Sequence, residues 1–247
     1  MRRKTKRLLG VGLAGVAGLS IFMWPIASRI PTPQADRIAG SGVVGVVETG
    51  SIAWIIPTET GVVLIDAGGS ADSQNLQAEI GDRTVHAILL THGHFDHTAG
   101  ARNYPTTEII AGPGESGLVS GTEAAGGWMA RMSKPLMGEP DYTPPVLREF
   151  IDGEIIEIDG ETITAIHVPG HTNGSAAYLW NDVLFVGDTV VGRDGYVSEL
   201  PKPLYDDYAQ VPASVAKLAS LDFEVIADGH VGLHKNGKEL LGAFQTE

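Results

Sequence analysis

The stretch Thr91-His92-Gly93-His94-Phe95-Asp96-His97-Thr98-Ala99-Gly100 follows directly on the aliphatic run Val85-His86-Ala87-Ile88-Leu89-Leu90. That run has the length and branched content of a buried strand. The polar cluster therefore sits where a strand hands over to a loop or helix, a rigid place to mount ligands. Of eight histidines in the chain, three fall within six positions here and share them with an aspartate. Packed together in an apolar interior, such groups desolvate or repel one another, and a bound cation resolves the conflict. His92 and His94 are two apart, so on extended backbone both rings leave the same side and can close on one ion. Gly93 removes a side chain where the backbone bends close to it. Asp96 and His97 come after the turn and point toward a second ion.

A metal needs three or four ligands, so others must arrive from elsewhere in the chain. Ile163-Thr164-Ala165-Ile166-His167-Val168 reads as a strand running into Pro169-Gly170-His171-Thr172-Asn173-Gly174-Ser175. Val183-Leu184-Phe185-Val186 ends in Gly187-Asp188-Thr189, and Phe223-Glu224-Val225-Ile226-Ala227 leads to Asp228-Gly229-His230. Earlier, Val62-Val63-Leu64-Ile65 delivers Asp66 before Ala67-Gly68-Gly69. Counting the histidine-rich stretch, five strand ends carry polar groups, the pattern of one active edge of a sheet.

These motifs, in this order, resemble the metallo-β-lactamase superfamily. The HxHxDH signature is His92, His94, Asp96 and His97, and the likeness continues through Pro169-Gly170-His171-Thr172, Gly187-Asp188-Thr189 and Gly229-His230. It covers the chain from about Gly42 to the end. The resemblance implies an α/β fold, the αββα four-layer sandwich of two face-to-face sheets with helices outside. It also implies two divalent metal ions. By the same resemblance His92, His94 and His171 hold one ion, Asp96, His97 and His230 the other, and Asp188 bridges them. Asp66 becomes a supporting carboxylate that orients a ligand. Zinc is favoured by nitrogen and carboxylate donors, with manganese or iron compatible with the same set.

The chemistry so implied is hydrolysis by a metal-bridging hydroxide. Two divalent ions bring four positive charges, and Asp96, Asp188 and the hydroxide return three, which leaves the centre able to polarise a carbonyl or phosphoryl oxygen. Asp96 and Asp188 are the candidate catalytic carboxylates, Asp96 through orienting or carrying a proton. Departures from the family's branches narrow the field. The chain has no cysteine, and Asp188 stands where single-cysteine lactamases carry a thiolate. His94 in place of Glu argues against the di-iron flavoprotein branch. Only 17 residues follow His230, so the helical glutathione-binding domain of glyoxalase II is not expected. The tyrosine of acyl-homoserine lactonases is replaced by Val191, with Tyr196, Tyr205 and Tyr208 as candidate substitutes or ordinary packed aromatics.

An N-terminal extension precedes this body. Met1-Arg2-Arg3-Lys4-Thr5-Lys6-Arg7 carries five positive charges, and Leu8 to Ala27 is twenty residues without a charge. Twenty apolar residues as a helix span about 30 Å, the hydrocarbon thickness of a bilayer. The basic cluster is expected to stay cytoplasmic and the body to face outward. Membrane anchor and cleaved signal segment compete, and Pro25-Ile26-Ala27-Ser28 lacks a clean small-x-small cleavage site, which favours the anchor. The expected division is residues 1–30 as a basic region plus an anchor or signal helix, 31–41 as linker, and 42–247 as the hydrolase domain. Its location is extracytoplasmic, anchored through residues 8–27 or exported.

Charge separates these parts. The formal net charge is −13, and removing the five basic residues of the leader leaves −13 − 5 = −18 on the remainder. So acidic a body repels phosphate backbones and disfavours nucleic acid as partner. A small-molecule substrate is expected instead. Trp128, Met129, Met132 and Met137 lie between the third signature histidine and His171 and read as an apolar lid or as ordinary core. His86 is expected in the core, His167 beside the site and His234 exposed. Arg193 is expected in a surface salt bridge or on a substrate carboxylate. The leading expectation is a metal-dependent hydrolase of a small ester-like bond in a lactone, thioester or related acyl compound. β-Lactam or phosphodiester hydrolysis on the same centre, or a noncatalytic metal-binding scaffold, are the alternatives.

Overall fold

The computed structural model describes residues 29–33, 35–127 and 147–244. The apolar stretch 8–27 and the cluster from Trp128 to Met137 lie outside the described residues. Among the described residues, seven strands form the first sheet in chain order: β1 (Arg37–Gly40), β2 (Val43–Glu48), β3 (Ser51–Pro57), β4 (Gly61–Ile65), β5 (Thr84–Leu89), β6 (Glu108–Ala111) and β7 (Leu147–Glu149). The first four pair antiparallel, and β4 through β7 run parallel. Strands β8 (Ile155–Ile158), β9 (Glu161–His167), β10 (Ala176–Trp180), β11 (Val183–Gly187), β14 (Val225–Asp228) and β15 (Leu233–Lys235) build the second sheet, in the order β15-β14-β11-β10-β9-β8. Its pairs are antiparallel except β11 with β14. A hairpin of β12 (Val191–Arg193) and β13 (Tyr196–Ser198) stands apart. Strand β1 falls inside the segment expected as linker. Only Ile38 there is large and apolar, too short a pattern to announce a strand, and pairing with β2 supplies what the sequence lacks.

Strands β3, β4 and β11 are buried along nearly their whole length, which is why they read as unbroken apolar runs. Alternation survives in the partners. Ile52, Trp54, Ile56, Val63 and Ile65 point between the sheets, toward Tyr178 and Phe185 of the second sheet. Ala53, Ile55, Val62 and Leu64 point outward against Leu76 and Ile80 of helix Gln74–Ile80. On the far side, Leu184, Val186 and Ile226 meet Val211, Val215 and Leu218 of helix Val211–Ala219 and Leu241 of helix Gly237–Gly242. Three apolar layers between four layers of secondary structure make the expected αββα sandwich. Among the described residues no helix is long and apolar enough to cross a membrane.

Parallel pairing decides where the site lies. Parallel neighbours present their C-terminal ends at one edge, so β4, β5 and β6 deliver Asp66, the His92 stretch and the Gly112 turn together. In the other sheet, parallel β11 and β14 deliver Asp188 and His230 to the same side. The sheets are stitched there: Ala176 N donates to Thr91 O at 2.7 Å, and Ile52 N to Gly229 O at 2.8 Å. The Tyr178 hydroxyl crosses the core to donate to Leu90 O at 2.8 Å, two residues before the signature begins. A buried tyrosine hydroxyl needs such a partner, and here the partner fixes one sheet against the other.

Candidate metal centre

All seven residues expected as ligands come together. Ring nitrogens of His92, His94 and His171 lie within 4.8 Å of one another, and donor atoms of Asp96, His97 and His230 do the same. His92, His97 and Asp188 form a further such group, which joins the two. His94 Nδ1 is 3.0 Å from His92 Nε2 and 2.9 Å from His171 Nε2. Three imidazole nitrogens facing one point cannot all be satisfied by shared protons, because each neutral ring offers one donor and one acceptor. Asp188 stands between the groups. Its Oδ2 is 3.0 Å from His230 Nε2 and 3.5 Å from His171 Nε2, and its Oδ1 is 3.3 Å from His97 Nε2. Among the described residues, His97 Nε2 and Asp188 Oδ1 are buried without a hydrogen-bond partner, as are His94 Nε2 and His171 Nδ1 on the outer sides of their rings. The three converging donor groups, with His97 Nε2 and Asp188 Oδ1 buried in the space between them, are of the type that divalent cations take.

Local structure accounts for each placement. His94 has extended backbone (φ −66°, ψ 146°) and precedes the helical turn Phe95–Thr98, which sends Asp96 and His97 away from the first triad. Before Asp188 the ladder between β11 and β14 slips, leaving Val186 unpaired between Phe185 and Gly187. A bulge of this kind re-aims the side chain that follows. Asp66 adopts left-handed backbone at φ 61°, a conformation costing a non-glycine residue roughly 1 kcal/mol. Its carboxylate accepts from Thr91 N and Thr91 Oγ1, each at 2.7 Å, and lies 2.8 Å from His97 Nδ1. His230 Nδ1 sits 2.8 Å from Gly50 O, and His92 Nδ1 3.1 Å from Thr91 Oγ1. The outer nitrogens of these three rings are thereby fixed and the inner ones freed for the centre.

Electrostatics divides the histidines. Burial holds His92 well below the usual imidazole range, and positive charge on His97, His171 and His94 would lower it further. His171 and His94 are lowered as well, burial outweighing Asp188 for the first and Asp96 and Asp188 for the second. Burial also opposes charge on His97, yet Asp188, Asp66 and Asp96 together push it well above the usual value. His230 rises to about 9 against burial, through Asp188 and its hydrogen bond. Asp188 itself is held well below the carboxylate range, because His230 and His97 outweigh its burial. One group thus consists of neutral lone-pair donors, while the other lies in a field that favours added positive charge.

Two buried carboxylates have roles that the sequence does not announce. Glu115, 1% exposed, accepts from Gly93 N at 2.6 Å, Gly174 N at 2.9 Å and Thr172 Oγ1 at 3.1 Å. Burial raises its pKa to about 7 despite those donors. Asp228 accepts from His230 N at 2.8 Å, Gly192 N at 2.7 Å and Gly232 N at 3.2 Å, and its Oδ2 is 2.7 Å from His234 Nε2. His234 is consequently half-buried rather than exposed. The other expectations sort unevenly. His86 is half-buried, outside the core, with Nε2 3.1 Å from Thr60 Oγ1 and from Asp159 Oδ2, because it occupies the start of β5. His167 Nε2 is 2.8 Å from Asn173 O and braces the turn carrying His171. Arg193 donates to Ser198 Oγ at 3.0 Å and Arg29 O at 3.1 Å. Tyr196 is exposed, whereas Tyr205 packs its ring at right angles against His171, centroids 5.2 Å apart, and accepts from Leu200 N.

Fold and site together define a metal-binding αββα protein, and the comparison with known proteins agrees. A family model described as Metallo-beta-lactamase superfamily matches residues 46–230, and the chain belongs to that superfamily. A hydroxyacylglutathione hydrolase of Photobacterium profundum is 30% identical over 178 residues, 69% of this chain and 57% of the relative. An atrochrysone carboxyl ACP thioesterase of Aspergillus fumigatus is 25% identical over 215 residues, 83% of this chain and 58% of the relative. The chain therefore spans less than three-fifths of the length of these two relatives. Among solved structures, an archaeal superfamily protein from Sulfolobus tokodaii shares the fold with a TM-score of 0.64 at 20% identity, covering 83% of this chain and 84% of that one.

Proposed function

We propose that this protein is a metal-dependent hydrolase of a small ester-like bond, in a thioester, lactone or related acyl compound. The observation that carries the proposal is Asp188 standing between two three-residue donor groups, with ring nitrogens of both turned toward its carboxylate: Oδ2 is 3.5 Å from His171 Nε2 and 3.0 Å from His230 Nε2. His92, His94 and His171 would hold one cation, Asp96, His97 and His230 the second, and Asp188 both. Nitrogen and carboxylate donors favour zinc, with manganese and iron accommodated by the same set. When bound, such cations supply Lewis acidity toward a carbonyl oxygen and lower the pKa of water toward about 7.

The chain's own groups do the rest. Asp66 fixes the His97 ring from behind, and the Gly50 carbonyl fixes His230, so the inner nitrogens need no reorganisation. The Asp96 side chain is 23% exposed while that of His97 is fully buried, and it is placed to accept a proton at Oδ2 and pass it outward. Ser51 Oγ donates to the Asp96 carbonyl and holds that turn in place. The ester-like choice is supported by the named activities of the thioesterase and the hydroxyacylglutathione hydrolase. A net charge of −18 outside the leader speaks against a phosphodiester polymer. The leader's composition supports an extracytoplasmic position, anchored or exported.

The test is the metal content of the purified protein, followed by a screen of thioesters, lactones, a cephalosporin and a phosphodiester with and without chelator. Chelator-sensitive turnover of a thioester or lactone is expected. Metal binding with no turnover of any substrate would instead make the protein a scaffold, and turnover of the cephalosporin or phosphodiester alone would overturn the ester-like assignment.

A further inference from the structure

Glu115 lies outside every motif that marks the centre, and it is buried, with no cationic side chain hydrogen-bonded to it among the described residues. Its three donors belong to two separate loops. Gly93 N lies between His92 and His94 in the loop after β5 of the first sheet, whereas Thr172 Oγ1 and Gly174 N belong to the turn after β9 of the second sheet, which carries His171. One carboxylate therefore joins the two backbone segments that supply all three histidines of the first group. The approach is built in closely: a Cβ on Gly174 would collide with the Glu115 carboxylate, and one on Gly93 would come within 3.0 Å of Val119 N in the turn that follows Glu115.

Among the described residues nothing comparable serves the second group. His97 is held directly by Asp66, and His230 by the Gly50 carbonyl and by Asp228 beneath its amide. In the first group, the outer ring nitrogens of His94 and His171 have no partner among the described residues. Their rings are therefore aimed by backbone position rather than by hydrogen bonds to the rings. A carboxyl group with one oxygen toward each loop, accepting from Gly93 N on one side and from Gly174 N and Thr172 Oγ1 on the other, sets that position.

We propose that Glu115 is the positioning residue of the three-histidine site, clamping the His92–His94 loop to the His171 turn so that the three nitrogens converge on a cation. The inference rests on the metal-binding reading above. It requires that loss of the clamp weaken that site selectively, by about 10- to 100-fold, the range for partners that orient metal ligands.

Cobalt(II) titration, followed by its visible absorption, separates the outcomes. In an Asp96→Ala background, where the three-histidine group is intact, Glu115→Gln is expected to raise the cobalt Kd by about 10- to 100-fold. In a His94→Ala background, where the other group is intact, the same substitution is expected to shift the Kd less than about threefold. Thr172→Val removes only one donor and is expected to give a smaller shift confined to the first background, which keeps the test available if Glu115→Gln does not fold. Equal shifts in both backgrounds, or none in either, would overturn the clamp while leaving the metal centre standing. A full-length wild-type protein that binds no cobalt would overturn the metal centre and the clamp with it.

Discussion

His97 Nδ1 lies 2.8 Å from Asp66 Oδ2, and both side chains are cut off from solvent although 31 residues separate them in sequence. That contact links the C-terminal end of β4 to the helical turn after β5 and sets which nitrogen of His97 faces Asp188. Asp66→Asn keeps the shape but removes the charge that favours a proton on Nδ1. Its expected effect is a loss of about 10- to 100-fold in metal affinity at the Asp96, His97 and His230 group, with a parallel fall in kcat/KM. Metal titration beside steady-state kinetics on a thioester checks it, and unchanged values for both would remove Asp66 from the site.

His171→Ala and Asp96→Ala each break a different donor group. Each is expected to lower the metal content from about two per chain toward one and to cut kcat/KM by more than about a hundredfold. Far-UV circular dichroism should be unchanged, since neither residue belongs to the apolar layers. Full turnover in either variant would refute the assignment.

Removal of metal is expected to be reversible. Dialysis against a chelator should abolish turnover, and zinc, manganese and iron(II) restored one at a time should rank the cations by recovered rate. A rate indifferent to chelation would place the chemistry elsewhere.

Trp54 packs edge-on against Phe185 across the sandwich, with centroids 6.2 Å apart, and donates from Nε1 to Asp228 O at 3.1 Å. Trp54→Ala opens a cavity and leaves a buried carbonyl unpaired, a loss of about 3–5 kcal/mol in urea unfolding. Trp54→Phe should recover most of the packing and leave the hydrogen-bond deficit of about 1 kcal/mol.

Partial burial would raise the Asp152 carboxyl, but the Lys217 ammonium, 2.7 Å from each oxygen, and the His167 amide hold it below its ordinary value. A depressed folded-state pKa gives stability that is present above the unfolded value, about 3.9, and lost as pH falls through the folded value. Asp152→Asn should therefore be less stable than wild type by about 1 kcal/mol or less at neutral pH, the pair being half-exposed. Thermal melts should show the gap closing below about pH 4. A gap that persists in acid would assign the effect to packing.

Much of the centre could be read in advance, because its residues sit in short local strings at the ends of apolar runs: Val63-Leu64-Ile65 before the supporting Asp66, Leu89-Leu90 before His92, Phe185-Val186 before Asp188. Those runs are apolar for the reason the structure displays, strands covered on both faces. Glu115 and Asp228 were not legible. Glu115 follows Gly112-Pro113-Gly114, which announces only a turn, and its partners lie up to 59 residues away. Asp228 stood in a noted motif, but its binding of Gly192 and His234 depends on how the β12–β13 hairpin folds back. His86 and His234 were misplaced for a related cause. Exposure at the end of a strand is set by the turn packed over it, and nothing local records that turn.

The order of residues alone determined the donor inventory and its seat at strand ends, since side-chain chemistry and apolar periodicity are local properties. Only the packing of the two sheets decided how the donors divide into two groups about Asp188, and that one buried glutamate spans both loops of the first. His94 and His171 are 77 residues apart, and their 2.9 Å approach follows from strand register and sheet contact. Those quantities come from the whole core at once, and no segment of the chain carries them singly.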